Sequence, residues 1–221
     1  MKLIFYILAF TLASCKNPML KNNIVLQKKE KDSVIRISNP FKKNNIECYW
    51  KYCFTSDGEI LMTLKENKTN KPILNYSDIL RLDFDYYKNF DYSKEQYLEN
   101  FQDVNFDGYF DFTIYSNEAS GSGGDFSKIY IYNSQKKNYN YSEELSGGEA
   151  EIDTINKTLS TYWKSGTTFN YQKIFHFGKN GKIEFIENVV NDYIDNNTWK
   201  TEYSKIINDE VVEQKTDTIK E

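Results

Sequence analysis

One histidine, three cysteines and no Cys-x-x-Cys pair are all that 221 residues offer to soft-metal or redox chemistry. A zinc centre or a dithiol site built from these residue types is weakly supported. Behind the N-terminus no apolar run is long enough to span a bilayer. Lys and Arg number 28 against 32 Asp and Glu, for a net charge of -4, and the two signs are interspersed. No basic stripe exists to follow a phosphate backbone, so nucleic acid is not an expected partner. No Gly-Lys-Ser/Thr ending marks a phosphate loop, and Ser165-Gly166-Thr167 lacks the strand-to-helix signature of a nucleophile elbow. His176 lies in the alternating run Phe175-His176-Phe177, and no triad can be assigned around it. These shortages argue against an enzyme.

What is present begins at the N-terminus. Lys2 precedes an apolar stretch from Leu3 to Leu12, and Leu12-Ala13-Ser14-Cys15 closes it with small residues before a cysteine. That is the pattern of a secretory signal, and it resembles a bacterial lipoprotein lipobox. The resemblance implies cleavage before Cys15 and acylation of its thiol, with membrane attachment through lipid. Residues 1–14 are then a signal peptide, 15–31 a lipid-anchored tether, and 32–221 a single β-rich domain. Lys16 after the cysteine implies outer-membrane sorting, with the periplasmic face expected. Loss of Lys2 with the leader makes the chain one charge more negative. Export also permits a disulfide between Cys48 and Cys53. Five residues apart on an unbroken strand, these would point to opposite faces, so the bridge requires a turn or bulge at Tyr49 to Tyr52.

Aromatic residues are abundant, with 18 Tyr, 15 Phe and 3 Trp. They favour pleated, half-buried surfaces. Short alternating segments run through Val34–Ile37, Glu59–Leu64, Ile79–Phe84, Phe110–Tyr115, Lys128–Tyr132, Asn138–Glu143, Gln172–Phe177 and Lys182–Glu187. Asp57-Gly58, Asp107-Gly108, Gly147-Gly148 and Asn180-Gly181 read as turns between them. Lys179-Asn180-Gly181-Lys182 is the clearest hairpin, since Asn and Gly tolerate the positive φ of a tight primed turn. Helical periodicity is weak: Tyr92–Phe101 fits one or two turns, and Ile79–Tyr87 reads either way. The tail, with Ile206-Ile207 and Val211-Val212 around Asn208-Asp209, is a last hairpin or a frayed end. The expected fold is all-β, a small propeller-like or barrel-like antiparallel meander, with a sandwich the other arrangement such strands allow.

The strongest chemical motif is Asp103-Val104-Asn105-Phe106-Asp107-Gly108-Tyr109-Phe110-Asp111. Oxygen donors stand at positions one, three, five and nine, a glycine at the sharp turn of position six, and the Tyr109 carbonyl at position seven. Calcium takes six to eight hard oxygen ligands, and this spacing converges them. An EF-hand would carry Glu at position twelve; Ile114 stands there, inside a strand-like run. Asp111 is read as ligating directly or through water, with Asp83, Asp85, Asp125 or Glu118 completing the shell. The competing reading is an Asx-rich turn whose carboxylates cap backbone N–H groups without metal.

After the motif come Phe112-Thr113-Ile114-Tyr115, the glycine-rich Gly121-Ser122-Gly123-Gly124, and Lys128-Ile129-Tyr130-Ile131-Tyr132-Asn133. Lys136-Lys137-Asn138-Tyr139, Ile152–Tyr162 and a hairpin over Tyr171–Ile186 follow. This order resembles the Xanthomonas-type periplasmic β-propeller-like protein family, which carries one FG-GAP-like calcium loop and is similar in fold to bacterial lysozyme inhibitors. The resemblance covers roughly Asp103 to Glu187 and implies Asp103, Asn105, Asp107 and Asp111 as Ca²⁺ ligands. Ser120-Gly121-Ser122-Gly123-Gly124-Asp125-Phe126 also resembles the Ser-Gly loop that lysozyme inhibitors insert into their target. A tyrosine follows that loop in the inhibitors; here Phe126 stands nearest and Tyr130 lies beyond. A flexible connection is the plainer reading of these glycines. The functional expectation is a calcium-stabilised envelope lipoprotein that binds a protein or glycan without catalysis. The alternative is an inhibitor or immunity factor against a lysozyme-like or other wall-degrading enzyme.

Overall fold

The computed structural model describes residues 33–79, 100–116, 126–195 and 198–220. Among them lie fifteen strands and one short 3-10 turn, Lys179–Gly181. The strands form three open antiparallel sheets. The first holds β1 (Ser33–Ile37), β2 (Phe41–Lys43), β3 (Ile46–Thr55), β4 (Glu59–Glu66) and β5 (Pro72–Ile79), in the order β1-β3-β4-β5, with β2 also on β3. The second runs in chain order through β6 (Phe101–Gln102), β7 (Asp111–Ser116), β8 (Phe126–Asn133) and β9 (Asn138–Gly147). The third does the same through β10 (Glu149–Asp153), β11 (Thr158–Ser165), β12 (Phe169–Phe177), β13 (Ile183–Asp195), β14 (Thr198–Ile207) and β15 (Glu210–Lys220). The all-β meander expected from alternation is present. Closure is not: among the described residues no sheet joins its own first and last strands, so neither a barrel nor a propeller closes.

Alternation decides which side chains go inward. On β3, Ile46, Cys48, Trp50, Tyr52 and Phe54 are buried and the residues between them point away, the period-two pattern of a sheet with one covered face. They join Met62, Leu64, Leu74, Phe101 and Phe112 in an aromatic-rich core shared by the first and second sheets. Phe112 packs 4.9 Å from Phe101 and 5.2 Å from Trp50, ring centre to ring centre. A second core gathers Val104, Ile129, Leu145, Leu159, Phe175 and Phe177 between the second and third sheets. β8 serves both: Tyr130 and Tyr132 face the first core, Ile129 and Ile131 the second.

Two expectations are corrected here. Cys48 and Cys53 are free thiols, because β3 runs unbroken through Tyr49 to Tyr52. Cys48 faces the core and Cys53 the opposite side, as strand geometry dictates without the bulge a bridge needs. Gly147-Gly148 is not a chain reversal. β9 ends at Gly147 and β10 starts at Glu149, so the chain passes from the second sheet into the third. A Cβ on Gly148 would stand 1.7 Å from the Tyr162 carbonyl oxygen, so glycine is required there by close backbone approach. The Asn180-Gly181 hairpin forms as expected, with φ of 62° and 73° at the two residues. The tail is a hairpin too, β14 to β15 around Asn208-Asp209. Residues 1–32, 80–99 and 117–125 lie outside the described residues. They include Cys15, both readings of Ile79–Tyr87 beyond Ile79, most of Tyr92–Phe101, and Asp83, Asp85, Glu118 and Asp125.

Candidate functional site

The loop from Asp103 to Phe110 connects β6 to β7, and its own side chains fold it. Asp103 accepts the backbone N–H of Asp107 at 3.0 Å on one carboxylate oxygen and that of Gly108 at 2.9 Å on the other. The Asn105 side-chain Oδ1 accepts the Asp107 N–H at 3.2 Å. Asp107 accepts the Tyr109 N–H at 2.9 Å and the Asn105 side-chain amide at 3.2 Å. These are nested Asx turns, in which short acidic side chains satisfy a backbone that has no ladder partner. Phe106 adopts a φ of 61° to permit the winding.

Asp111 plays a different part. It is fully buried, and its carboxylate accepts three backbone N–H groups. Val104 donates at 3.0 Å and Asn105 at 3.4 Å to one oxygen, and Tyr132 of β8 donates at 2.8 Å to the other. Burial pushes this carboxyl up to about 7; the Tyr132 N–H opposes the rise, and the nearby Asp107 carboxylate adds to it. Position nine therefore ties the loop to β8 from behind.

The loop meets all three sheets. From the β2–β3 turn, Asn44 receives the Phe110 N–H at 2.8 Å and donates to the Phe110 carbonyl at 2.8 Å. The same amide donates to the Tyr139 hydroxyl of β9 at 3.1 Å. From the third sheet, Gly181 lies against the loop, where a Cβ would fall 2.8 Å from the Asn105 amide nitrogen and 2.9 Å from the Asp107 Cβ. Phe106 packs its ring 5.7 Å from that of Phe177. Sequence reasoning found Asp103, Asn105, Asp107, Tyr109 and Asp111 as a set but missed Asn44 and Gly181. An asparagine at positive φ in a tight turn and the glycine of a hairpin gave no sign of a shared neighbour.

The donor chemistry of the front of this loop, two carboxylates, an amide oxygen and the Tyr109 backbone carbonyl, suits a hard cation. Among the described residues no group of three or more His, Cys, Asp or Glu is arranged to hold a metal ion. The front of the loop has only Asp103 and Asp107 as carboxylates, with Asp111 committed to backbone. Tyr109 is 40% exposed, its ring 5.5 Å from that of Tyr132.

Of the glycine-rich segment, Ser120, Gly121, Ser122, Gly123 and Gly124 lie outside the described residues. Phe126 opens β8 opposite Ser116 and is half-buried. Tyr130 pairs with Phe112 and packs against the first core, and Tyr132 is buried in it. A second polar group is assembled across the third sheet. His176 Nε2 lies 2.8 Å from Glu187, and the Tyr203 hydroxyl donates to the other oxygen of Glu187 at 2.7 Å. Burial works against ionisation of Glu187, but the Tyr203 and His176 hydrogen bonds hold its carboxyl below the ordinary range. The His176 ring stacks on Phe185 at 3.9 Å. Glu187 and Tyr203 are far apart in sequence and adjacent only through strand register.

No protein-family model matches the chain, and no curated protein matches it. Among solved structures it is similar to a Xanthomonas type IV secretion system related protein, with a TM-score of 0.50 and 15% identity. The match covers 86% of this chain and 95% of that one. At this identity the likeness concerns the fold. No helix of the described residues is long and apolar enough to cross a membrane.

Proposed function

We propose that this protein is a calcium-stabilised lipoprotein of the cell envelope that acts as a non-enzymatic binding module for an envelope protein or glycan. Cys15 carries the lipid that holds it at the outer membrane, on the periplasmic face. The observation that carries the reading is the position of the Asp103–Phe110 loop, in contact with side chains or turns of all three sheets. Asp103, Asn105, Asp107 and the Tyr109 carbonyl would hold the ion, with Asp111 keeping the loop's rear on β8. Bound calcium supplies positive charge that relieves the repulsion between the carboxylates. The fold likeness to a protein related to a type IV secretion system is in keeping with an envelope role.

The second reading is an inhibitor or immunity factor against a lysozyme-like or other wall-degrading enzyme. It is favoured by the setting of residues 117–125 between β7 and β8, strands whose side chains are anchored in the cores. An inserting loop needs such a base. Calorimetry on the metal-stripped protein tests the main reading. Calcium should bind and raise the melting temperature by mass action. Asp103→Ala and Asp107→Ala should each weaken both effects. No heat at millimolar calcium would reject the ion. A partner recovered from envelope extract that loses wall-degrading activity on binding would decide for the inhibitor.

A further inference from the structure

The face of the first sheet turned away from its core carries a contiguous apolar patch. Across the register Ile35 stands beside Cys53, Cys53 beside Leu61, and Leu61 beside Ser77. The next row is Ile37, Lys51, Thr63 and Asn75. Opposed side chains in a sheet begin about 5 Å apart, so Ile35, Ile37, Cys53 and Leu61 touch or nearly touch. Ile35 is 50% exposed, Ile37 60% and Leu61 45%. Single exposed apolar residues need no explanation, but a cluster on one flat face does.

The charges around the patch are of both signs. Lys51 lies in the second row, and Lys65 follows in the third, opposite Tyr49. On the same face Glu59 stands one row from Leu61, and Glu47 lies one row beyond Tyr49. The face thus presents three exposed aliphatic side chains with two lysines and two glutamates around them.

The direction of the chain indicates what covers the patch. β1, which contributes both isoleucines, starts at Ser33, 18 residues after Cys15. Even fully extended, 18 residues reach at most roughly 65 Å. If Cys15 is acylated, the edge strand carrying Ile35 and Ile37 is held near the bilayer at high effective concentration.

We propose that this outer face is the surface through which the domain lies on the membrane that holds its lipid. Ile35, Ile37 and Leu61 enter the interfacial layer, with Lys51, beside Ile37, at the headgroups. Alone the patch is too small for stable attachment; with one lipidated residue it supplies the second signal that fixes orientation. The inference rests on the lipid anchor proposed above.

Cys53, at the centre of the patch, is a built-in reporter. It is a partly exposed free thiol, Cys48 is fully buried, and acylation would consume the thiol of Cys15. The full-length lipidated protein is reconstituted in vesicles of phosphatidylethanolamine and phosphatidylglycerol. Cys53 is then labelled with a membrane-impermeant maleimide. Labelling should be at least about tenfold slower than in the unlipidated Cys15→Ser protein free in solution, the ratio that shielding by roughly 1.4 kcal/mol would give. The double variant Ile37→Asp, Leu61→Asp should restore fast labelling while the protein stays in the vesicle fraction. Its circular dichroism should match that of the wild type, with the melting temperature lowered by only a few degrees, since both side chains are largely exposed. Equal rates in the two forms, with the acyl mass present, would overturn the orientation and leave the anchor standing. Protection that follows protein density at constant lipid would also overturn it, in favour of a second copy on this face. Absence of the acyl mass would remove the anchor and the orientation together.

Discussion

The first sheet and the outer half of the third are both antiparallel meanders, yet different forces hold them. β3 turns Ile46, Cys48, Trp50, Tyr52 and Phe54 into one core, and β4 meets them with Ile60, Met62 and Leu64. Removal of apolar area from water dominates there. β15 buries no residue: ten of its eleven are exposed and Glu213 is intermediate. Val211, Val212 and Ile219 are more than half exposed. β15 is a strand because its backbone pairs with β14 along its length. Its side chains contribute surface contacts: a Lys215–Glu213 ion pair along the strand and, across to β14, the Lys215 ammonium over the Tyr203 ring. The comparison teaches that alternation yields a strand in either case, while stability comes from what the alternate residues meet. The charges spread along β15 also protect an edge that would otherwise invite another strand.

The largest effect should come from the core. Trp50→Ala should cost roughly 3–5 kcal/mol, because a large aromatic leaves a cavity beside Phe101 and Phe112. Urea denaturation followed by intrinsic fluorescence and by far-ultraviolet circular dichroism measures it. A loss below about 1 kcal/mol would mean that the core relaxes freely, contrary to dense packing.

Asp111→Asn comes next, at roughly 2–3 kcal/mol, since the amide would turn donors toward N–H groups that now have an acceptor. Its pH dependence sharpens the comparison. The Asp111 carboxyl is raised to about 7 in the folded chain. Protonation therefore favours folding, fully below about pH 4, and that contribution is lost as pH rises through about 7. The amide of the variant does not titrate, so the gap between wild type and variant should narrow from about pH 5 to about pH 8. A widening gap would show that the three N–H groups keep the carboxylate ionised well below neutrality. Glu187, held below the ordinary range, acts in the opposite sense. Its contribution is present above that range and lost as pH falls through its folded value.

The smallest effect belongs to the third sheet. Tyr203→Phe removes one hydrogen bond to a partly exposed carboxylate and should cost about 0.5–1 kcal/mol. Hydrogen exchange should quicken in β13 and β14 while amides of β3 and β4 keep their protection. Equal acceleration in both regions would mean that the sheets unfold as one unit and that the contrast between them has no energetic meaning.

Much of the secondary structure was legible. Val34–Ile37, Lys128–Tyr132 and Gln172–Phe177 alternate visibly, and Asn180-Gly181 announced its hairpin because few residues accept positive φ. Less legible was β3, whose two cysteines suggested a bridge that an unbroken strand forbids. Gly147-Gly148 suggested a reversal, since a glycine pair serves a turn or a close approach equally well, and only the nearby Tyr162 carbonyl distinguishes them. The fifteen strands are assembled into three sheets by pairings and bulges that no local pattern prescribes.

Sequence alone determined the all-β class of the fold and the Asx turns of the Asp103–Asp111 loop, because strand periodicity and Asx-turn spacing are local properties of the chain. Tertiary structure decided which residues do what. It placed Asp111 behind the loop, where burial and three N–H donors make it a tie between β7 and β8. It brought Asn44 and Gly181 to the loop from chain positions some 60 to 80 residues away, and it left Ile35, Ile37 and Leu61 on an open face. Burial and long-range contact depend on where distant segments come to rest, and that is a property of the packed molecule.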